Sequence, residues 1–265
     1  MVSFFVLIVY TLVMKIFFFD IDGTIAVKGK YKDSVKYALQ SLKEKGYLTF
    51  ICTGRPSFYV NNLFSDLVSG YICCNGRYIV YNNQTIFSLP LSFEELNYCK
   101  ELIVKHHLGA MFVGDKLTYT FNTNLDQTNN ILNMYDPSIV KPYNDEKEIY
   151  TFDLFYEEDP SYIDLVFKDK LVLNHHSNRG SCDCSTINYN KASAILYLLN
   201  YFNLDKKDAY CFGDGSNDLC MFDVLDNTIA MGNAIMELKE KASYITDTVE
   251  NDGVYRALLD LNFID

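Results

Sequence analysis

Four apolar residues, Ile16 to Phe19, run straight into two carboxylates, a glycine and a threonine, Asp20-Ile21-Asp22-Gly23-Thr24. An apolar run without alternation reads as a strand buried on both faces, the habit of a parallel sheet. Carboxylates two apart at the carboxyl end of such a strand can converge on one cation, one through its side chain and the other through its backbone carbonyl. Magnesium favours oxygen ligands of this kind and keeps several waters that phosphate can replace. A phosphate beside Asp20 would meet a carboxylate oxygen in line with phosphorus, and aspartate is a covalent nucleophile for phosphoryl groups. An acidic turn with a glycine is the competing reading of this stretch taken alone.

Three later segments repeat the pattern of an apolar stretch ending in chemistry. Tyr47 to Cys52 leads into Thr53-Gly54-Arg55, where a hydroxyl and a backbone N–H can hold phosphate oxygens and Gly54 lets the backbone come close. Asn190-Lys191 opens a helical pattern of Ala192, Ile195, Leu196 and Leu199. That places an ammonium at a helix amino end, where dipole and charge both favour an anion. Ala209 to Phe212 leads into Gly213-Asp214-Gly215-Ser216-Asn217-Asp218. Asp214 is the second candidate metal carboxylate, with Asp218 placed to orient it or its waters.

Taken together and in this order, the four segments resemble the motifs of the haloacid dehalogenase-like hydrolase superfamily. Asn75-Gly76, Ala230-Met231-Gly232-Asn233-Ala234 and Asn251-Asp252-Gly253-Val254 are similar to its Cof-type phosphatase branch (subfamily IIB). Two departures stand out: Ala192 follows the lysine where glycine is common, and Arg77 follows Asn75-Gly76 where a small residue is usual. Neither touches the expected reaction centre, so both bear on substrate fit. The resemblance implies a Mg2+-dependent phosphatase of sugar phosphates or phosphorylated cofactors. It makes Asp20 the nucleophile and Asp22 the acid and base. Thr53, Gly54, Arg55, Lys191 and Asn217 would bind phosphate or substrate, and Asp20, Asp22, Asp214 and Asp218 would surround the metal. Asn217 would touch phosphate or order Lys191. A phosphomutase on the same core, and a phosphometabolite sensor without turnover, are the alternatives.

Composition fits an enzyme of small molecules. The chain has 265 residues, 49% of them hydrophobic, enough for a sizeable core. Its net charge of −11 argues against nucleic acid or an anionic membrane surface as partner. Positive charge must then be concentrated locally, on the metal, Lys191 and Arg55. Cys52, Cys73, Cys74 and Cys211 fall in expected buried strands and read as reduced thiols of a cytoplasmic protein. Cys182-Asp183-Cys184 would put both sulfurs on one strand face, but no second Cys or His pair sits at zinc spacing. Residues 1–13 are almost wholly apolar. They lack the charged start and cleavage site of a signal peptide, and Ile16 to Phe19 are needed as the strand that positions Asp20. They read as an extension ahead of the functional start, a membrane tether being the lesser reading.

The expected architecture is a doubly wound parallel sheet, Rossmann-like, interrupted by an α+β cap. Strands near 16–19, 48–52, 71–74 and 209–212 would form the core, residues 14–81 and 187–265. The cap would span 82–186 and choose the substrate. Asp33 to Lys45 shows helical spacing, with Asp33 or Ser34 as cap and Gly46 as stop. Pro90 to Lys105 reads as a helix, and Ala110–Val113 with Leu117–Phe121 as a hairpin turning at Gly114-Asp115. Asn75-Gly76 reads equally as a turn or a substrate contact. Asn233 reads as a loop tie near Asp214. His106-His107 fall in the cap helix, and His175-His176 read as an exposed loop at a strand end rather than as part of the site.

Overall fold

The computed structural model describes residues 14–134, 136–145, 147–176 and 180–265, so the apolar segment 1–13 lies outside it. In chain order the first part holds β1 (Ile16–Phe19), α1 (Asp33–Glu44), β2 (Leu48–Cys52), α2 (Ser57–Phe64), β3 (Gly70–Cys73), β4 (Tyr78–Tyr81) and β5 (Gln84–Ser88). Then follow α3 (Phe93–Lys105), β6 (Gly109–Val113), β7 (Thr118–Phe121), α4 (Leu125–Met134), β8 (Val140–Pro142), β9 (Thr151–Phe155), α5 (Pro160–Phe167), β10 (Leu171–His175) and β11 (Ser181–Thr186). The last part holds α6 (Lys191–Phe202), β12 (Ala209–Gly213), α7 (Leu219–Val224), β13 (Asn227–Ala230), α8 (Met236–Lys241), β14 (Tyr244–Ile245) and α9 (Gly253–Asp260).

The first and last parts share one eight-stranded sheet in the order β14-β13-β12-β1-β2-β3-β4-β5. It is parallel from β14 to β3 and turns antiparallel at β4 and β5. From β1 the chain winds one way through β2 and β3, then returns to the other side through β12. The crevice at such a reversal is where ligands bind in doubly wound sheets. The central strands explain the apolar runs: Phe17, Phe18, Phe19, Phe50 and Phe212 are all fully buried. Each such side chain contributes about 1.5–3 kcal/mol through removal from water.

Helix α1 buries Val35, Ala38, Leu39 and Leu42, the stripe its spacing predicts. Its expected cap is different. The residue before the first turn is Lys32, Asp33 lies inside that turn, and the Ser34 hydroxyl donates to Asp252 instead. Helix α3 starts at Phe93 rather than Pro90, because Ser92 and Glu95 close a capping box and the Leu91 N–H is already bonded to Ile149. His106 caps its end, with His107 beyond it.

Residues 109–186 form a second sheet in the order β10-β11-β9-β6-β7-β8. The hairpin β6–β7 sits where alternation and Gly114-Asp115 placed it. Strand β5 falls in the stretch expected to begin the cap, yet it pairs with β4 and widens the first sheet. The chain therefore passes between the sheets after Ser88 rather than near 82. Along β6, Ala110 and Phe112 face the insert's own core while Met111 and Val113 face the main body.

Candidate active site

Three neighbouring strands, β12, β1 and β2, end side by side, and each hands the chain to a chemical loop. β1 delivers Asp20, only 6% exposed, whose N–H bonds to the Phe212 carbonyl at 3.1 Å. β2 delivers Thr53 and Gly54, and β12 delivers Asp214. Lys191 opens α6 behind them, capped by Asn190, and is 1% exposed. Its ammonium donates to Asp20 Oδ1 and to Asp218 Oδ1, each at 2.7 Å. Burial opposes the Lys191 charge, but the Asp20 and Asp218 carboxylates beside it hold its pKa well above the usual range.

Asp218 is fully buried and every direction of its carboxylate is committed. Oδ1 takes Lys191, while Oδ2 accepts from the backbone N–H groups of Asp214 and Gly215 at 2.9 and 3.1 Å. It shapes the Asp214 loop while its Oδ1 side stays within reach of Asp20 and Asp214. Asp214 is steadied by Thr24 Oγ1, which donates to its Oδ1 at 2.9 Å, and by Asn233, whose Nδ2 donates to Gly23 O at 2.8 Å and to Asp214 Oδ2 at 3.3 Å. Asn233 is thus the loop tie its position suggested. Sequence reasoning assigns Thr24 no role, although a hydroxyl directly after Asp-x-Asp-Gly is the signal for it. Gly23 has φ +87°, and a Cβ there would lie 2.1 Å from Asp214 Oδ2, so this turn admits no side chain.

Oxygens of Asp20, Asp214 and Asp218 lie within 4.8 Å of one another. Burial, opposed by Lys191 and reinforced by Asp218 and Asp214, drives the Asp20 pKa well above its ordinary value. Burial beside Asp218 pushes Asp214 to about 7. Three converging carboxylates against one buried ammonium lack positive charge, and the donors are all hard oxygens. A divalent cation fits this set, and Mg2+ matches its chemistry.

The Asp22 side chain, expected as acid and base, is engaged by an arginine. It is 45% exposed and holds Arg55 in a fork, Nε to Oδ2 at 2.6 Å and Nη2 to Oδ1 at 3.0 Å. Arg55 also lies over the Tyr59 ring at 4.5 Å. Thr53 is buried, with Oγ1 accepting from the Arg55 N–H at 3.2 Å. Asn75 is 3% exposed, packs against Gly54, and neither atom of its amide has a partner among the described residues.

A cleft of about 1020 Å³ opens above these loops, floored by Asp20, Asp22, Thr53–Arg55 and Asp214–Asn217. Its roof is the insert: Asp153 on β9, Asn174 and His175 on β10, then His176, Ser181 and Asp183. His176 bonds to Asp183 at 3.0 Å and to Ser181 at 2.9 Å. The Asp183 hydrogen bond raises the His176 pKa against the effect of burial, whereas burial and Asp183 push Asp153 up to about 7. His176, in the exposed stretch just beyond β10, borders the cleft, whereas His175 lies opposite Cys182 in the β10–β11 pairing and its ring meets Tyr156 and Asp164. Cys182 and Cys184 point into the insert's core, so Asp183 between them points out. Asn217 Nδ2 faces Asp183 Oδ2 across the cleft at 3.5 Å, and Ser216 Oγ donates to Asn174 at 3.2 Å. No helix among the described residues is long and apolar enough to cross a membrane.

The arrangement can hold a phosphate against a buried carboxylate and close it off with a polar roof. Known proteins resemble the chain over nearly its whole length. The chain is 29% identical over 255 residues to "Putative phosphatase YkrA" of Bacillus subtilis (strain 168), covering 94% of this chain and 98% of that one. It is 27% identical over 282 residues to the 5-amino-6-(5-phospho-D-ribitylamino)uracil phosphatase YwtE of the same organism, covering 91% and 96%. A solved HAD subclass IIB sugar phosphatase shares the fold with a TM-score of 0.82 at 24% identity, over 95% of this chain and all of that one. The family model for haloacid dehalogenase-like hydrolases matches residues 17–258, from the strand that carries Asp20 to the closing helix α9. With its motif residues gathered at the ends of three adjacent strands, the chain belongs to the haloacid dehalogenase-like hydrolases.

Proposed function

We propose that this hydrolase is a Mg2+-dependent phosphatase of small phosphorylated metabolites that works through an aspartyl-phosphate on Asp20. The observation that carries the reading is Asp20 itself: a buried carboxylate at the floor of the cleft, with Oδ1 anchored by Lys191 at 2.7 Å. Anchoring one oxygen leaves the other to attack phosphorus, and phosphoryl transfer depends chiefly on such positioning and on charge neutralisation.

In the first half-reaction the Asp20 oxygen forms a bond to phosphorus as the ester P–O bond breaks, and Asp22 gives the leaving alkoxide its proton. In the second, water attacks the aspartyl-phosphate while Asp22 takes a proton from it, releasing inorganic phosphate and restoring Asp20. Asp22 must part from Arg55 and take up a proton from solvent before it can act as the acid, and an arriving phosphate that draws the guanidinium away frees it to do so. Thr53, Gly54 and Lys191 hold the transferring group, and the unpartnered Asn75 amide beside Gly54 suits a further contact on that side. Asp20 and Asp214, with the backbone carbonyl of Asp22, would hold Mg2+, which supplies neutralisation of the phosphate oxygens. Asp218 keeps Lys191 and the Asp214 loop in place.

The roof supports an organic leaving group rich in hydroxyls. Asp153, Asp183, His176 and Asn174 offer acceptors and paired donors, and among the described residues of the insert that line the cleft there is no lysine or arginine. Relatives named for sugar phosphates or a phosphoribityl compound are consistent with that lining.

The test is phosphate release from an aryl phosphate and a metabolite panel, with and without Mg2+, in wild type and Asp20→Asn. Metal-dependent release by wild type alone supports the reading. Binding of a phosphometabolite without any release would make the protein a sensor, and undiminished release by Asp20→Asn would remove Asp20 from the chemistry.

A further inference from the structure

Arg77 stands where the family resemblance implies a small residue, and its surroundings give it a purpose. It follows the one-turn 3-10 helix Cys74–Gly76 and is 5% exposed. That turn packs tightly against the chain returning from the insert: Gly76 has φ +99°, and a Cβ there would lie 2.3 Å from the Asn190 carbonyl oxygen. Arg77 Nη1 donates to the carbonyls of Leu89 and Pro90 at 3.2 and 3.3 Å, on the outgoing connection. Nη2 donates to Thr186 Oγ1 at 2.9 Å, on the returning connection, and to Glu95 Oε1 at 3.2 Å. Glu95 uses its other oxygen to cap α3, accepting from the Ser92 N–H at 2.8 Å. The Arg77 carbonyl accepts from the Leu89 N–H at 2.9 Å, and the Tyr189 ring lies 5.9 Å from the guanidinium.

One rigid fork therefore binds both strands of chain that join the two sheets, together with the first helix of the insert. Arg77 is not among the residues that line the cleft. A planar guanidinium can span several acceptors at fixed angles; an ammonium in the same place satisfies fewer of them. We propose that Arg77 is a positioning residue that sets the attitude of the insert over the catalytic floor by clamping both of its connections. The proposal rests on the phosphatase reading, because what it positions is the roof against a bound substrate.

The consequence is a division by substrate. A small donor such as acetyl phosphate needs only the floor, whereas a hydroxylated sugar phosphate also needs Asp153, His176 and Asp183 at the right height. Displacement of such contacts by about 1 Å can cost about 10²-fold. Arg77→Met and Arg77→Lys are expected to raise KM for the sugar phosphates that wild type turns over by at least about tenfold, while kcat/KM for acetyl phosphate stays within about twofold. Equal losses on both donors, or no loss on either, would overturn the proposal. Should Arg77→Met fold poorly, Glu95→Gln and Thr186→Val each remove one arm of the clamp and should show the same split in smaller measure. Spin labels, one on the core and one on the insert, give a readout without turnover. Their distance distribution should broaden in Arg77→Met, and an unchanged distribution overturns the clamp. A wild type that releases no phosphate would bring down the phosphatase reading, while the label distances would still decide the clamp.

Discussion

The floor and the roof of the cleft are built in opposite ways. The floor comes from loops at the ends of β12, β1 and β2, each loop placing two or three consecutive residues where chemistry needs them. The roof comes from single side chains on antiparallel strands. Asp153 and Asp183 lie opposite each other in the β9–β11 pairing, 30 positions apart in the chain and separated from their like-facing neighbours by buried residues. The floor is also rigid by charge, with Lys191 locked between Asp20 and Asp218, while the roof is held over it by the connections at Arg77 and light contacts such as Asn217 to Asp183. A site of this design keeps its chemistry constant and lets its specificity vary, because a changed roof residue leaves the Lys191–Asp20–Asp218 lock intact.

That contrast can be broken at either side. Asp20→Asn should cost at least about 10³-fold in turnover on every phosphate ester, large or small, since no neighbouring group replaces the nucleophile. Thermal unfolding should show the protein still folded; activity retained on any donor would break the idea of one shared floor. Asp22→Asn should cost about 10²–10⁴-fold, the range of general acid–base catalysis, and more on alkyl than on aryl phosphates because poor leaving groups need the proton. A loss independent of the leaving group would assign Asp22 a purely structural part with Arg55.

On the roof, Asp183→Asn should raise KM for hydroxylated substrates about tenfold, equivalent to about 1.4 kcal/mol of binding, and leave acetyl phosphate untouched. An equal effect on both donors would merge roof and floor. A readout independent of turnover is stability. Mg2+ at a hundredfold excess over its Kd should stabilise the fold by about 2.7 kcal/mol, read as a rise in Tm. Asp214→Asn should abolish that rise and Asp183→Asn should keep it. The reverse result would move the metal from the floor to the roof.

Legibility in the sequence followed the same division. Asp20, Thr53, Lys191 and Asp214 could be picked out because each sits directly after an apolar run or at a helix start, and covalent neighbours settle where such residues point. The buried stripe of α1 and the β6–β7 hairpin were readable for the same reason, being local periodicities. Asp153, His176 and Asp183 were not, because strand register decides which face a side chain occupies, and register is fixed by partners far away in the chain. The Asp22–Arg55 fork joins residues 33 positions apart, and Arg77 finds Thr186 at a separation of 109.

By itself the sequence determined a parallel α/β core, the family it belongs to, and the residues at the carboxyl ends of its central strands. Strand formation and motif spacing act over a handful of residues, and a chain carries that information openly. Only the tertiary structure decided that β5 belongs to the main sheet, that Asp22 is held by Arg55, that Asp218 spends its carboxylate on Lys191 and the Asp214 loop, and that Arg77 joins both connections of the insert. Those outcomes depend on which buried donors and acceptors meet once the two sheets pack. Burial makes unpaired polar groups expensive, so distant residues are brought into pairs that no local pattern announces.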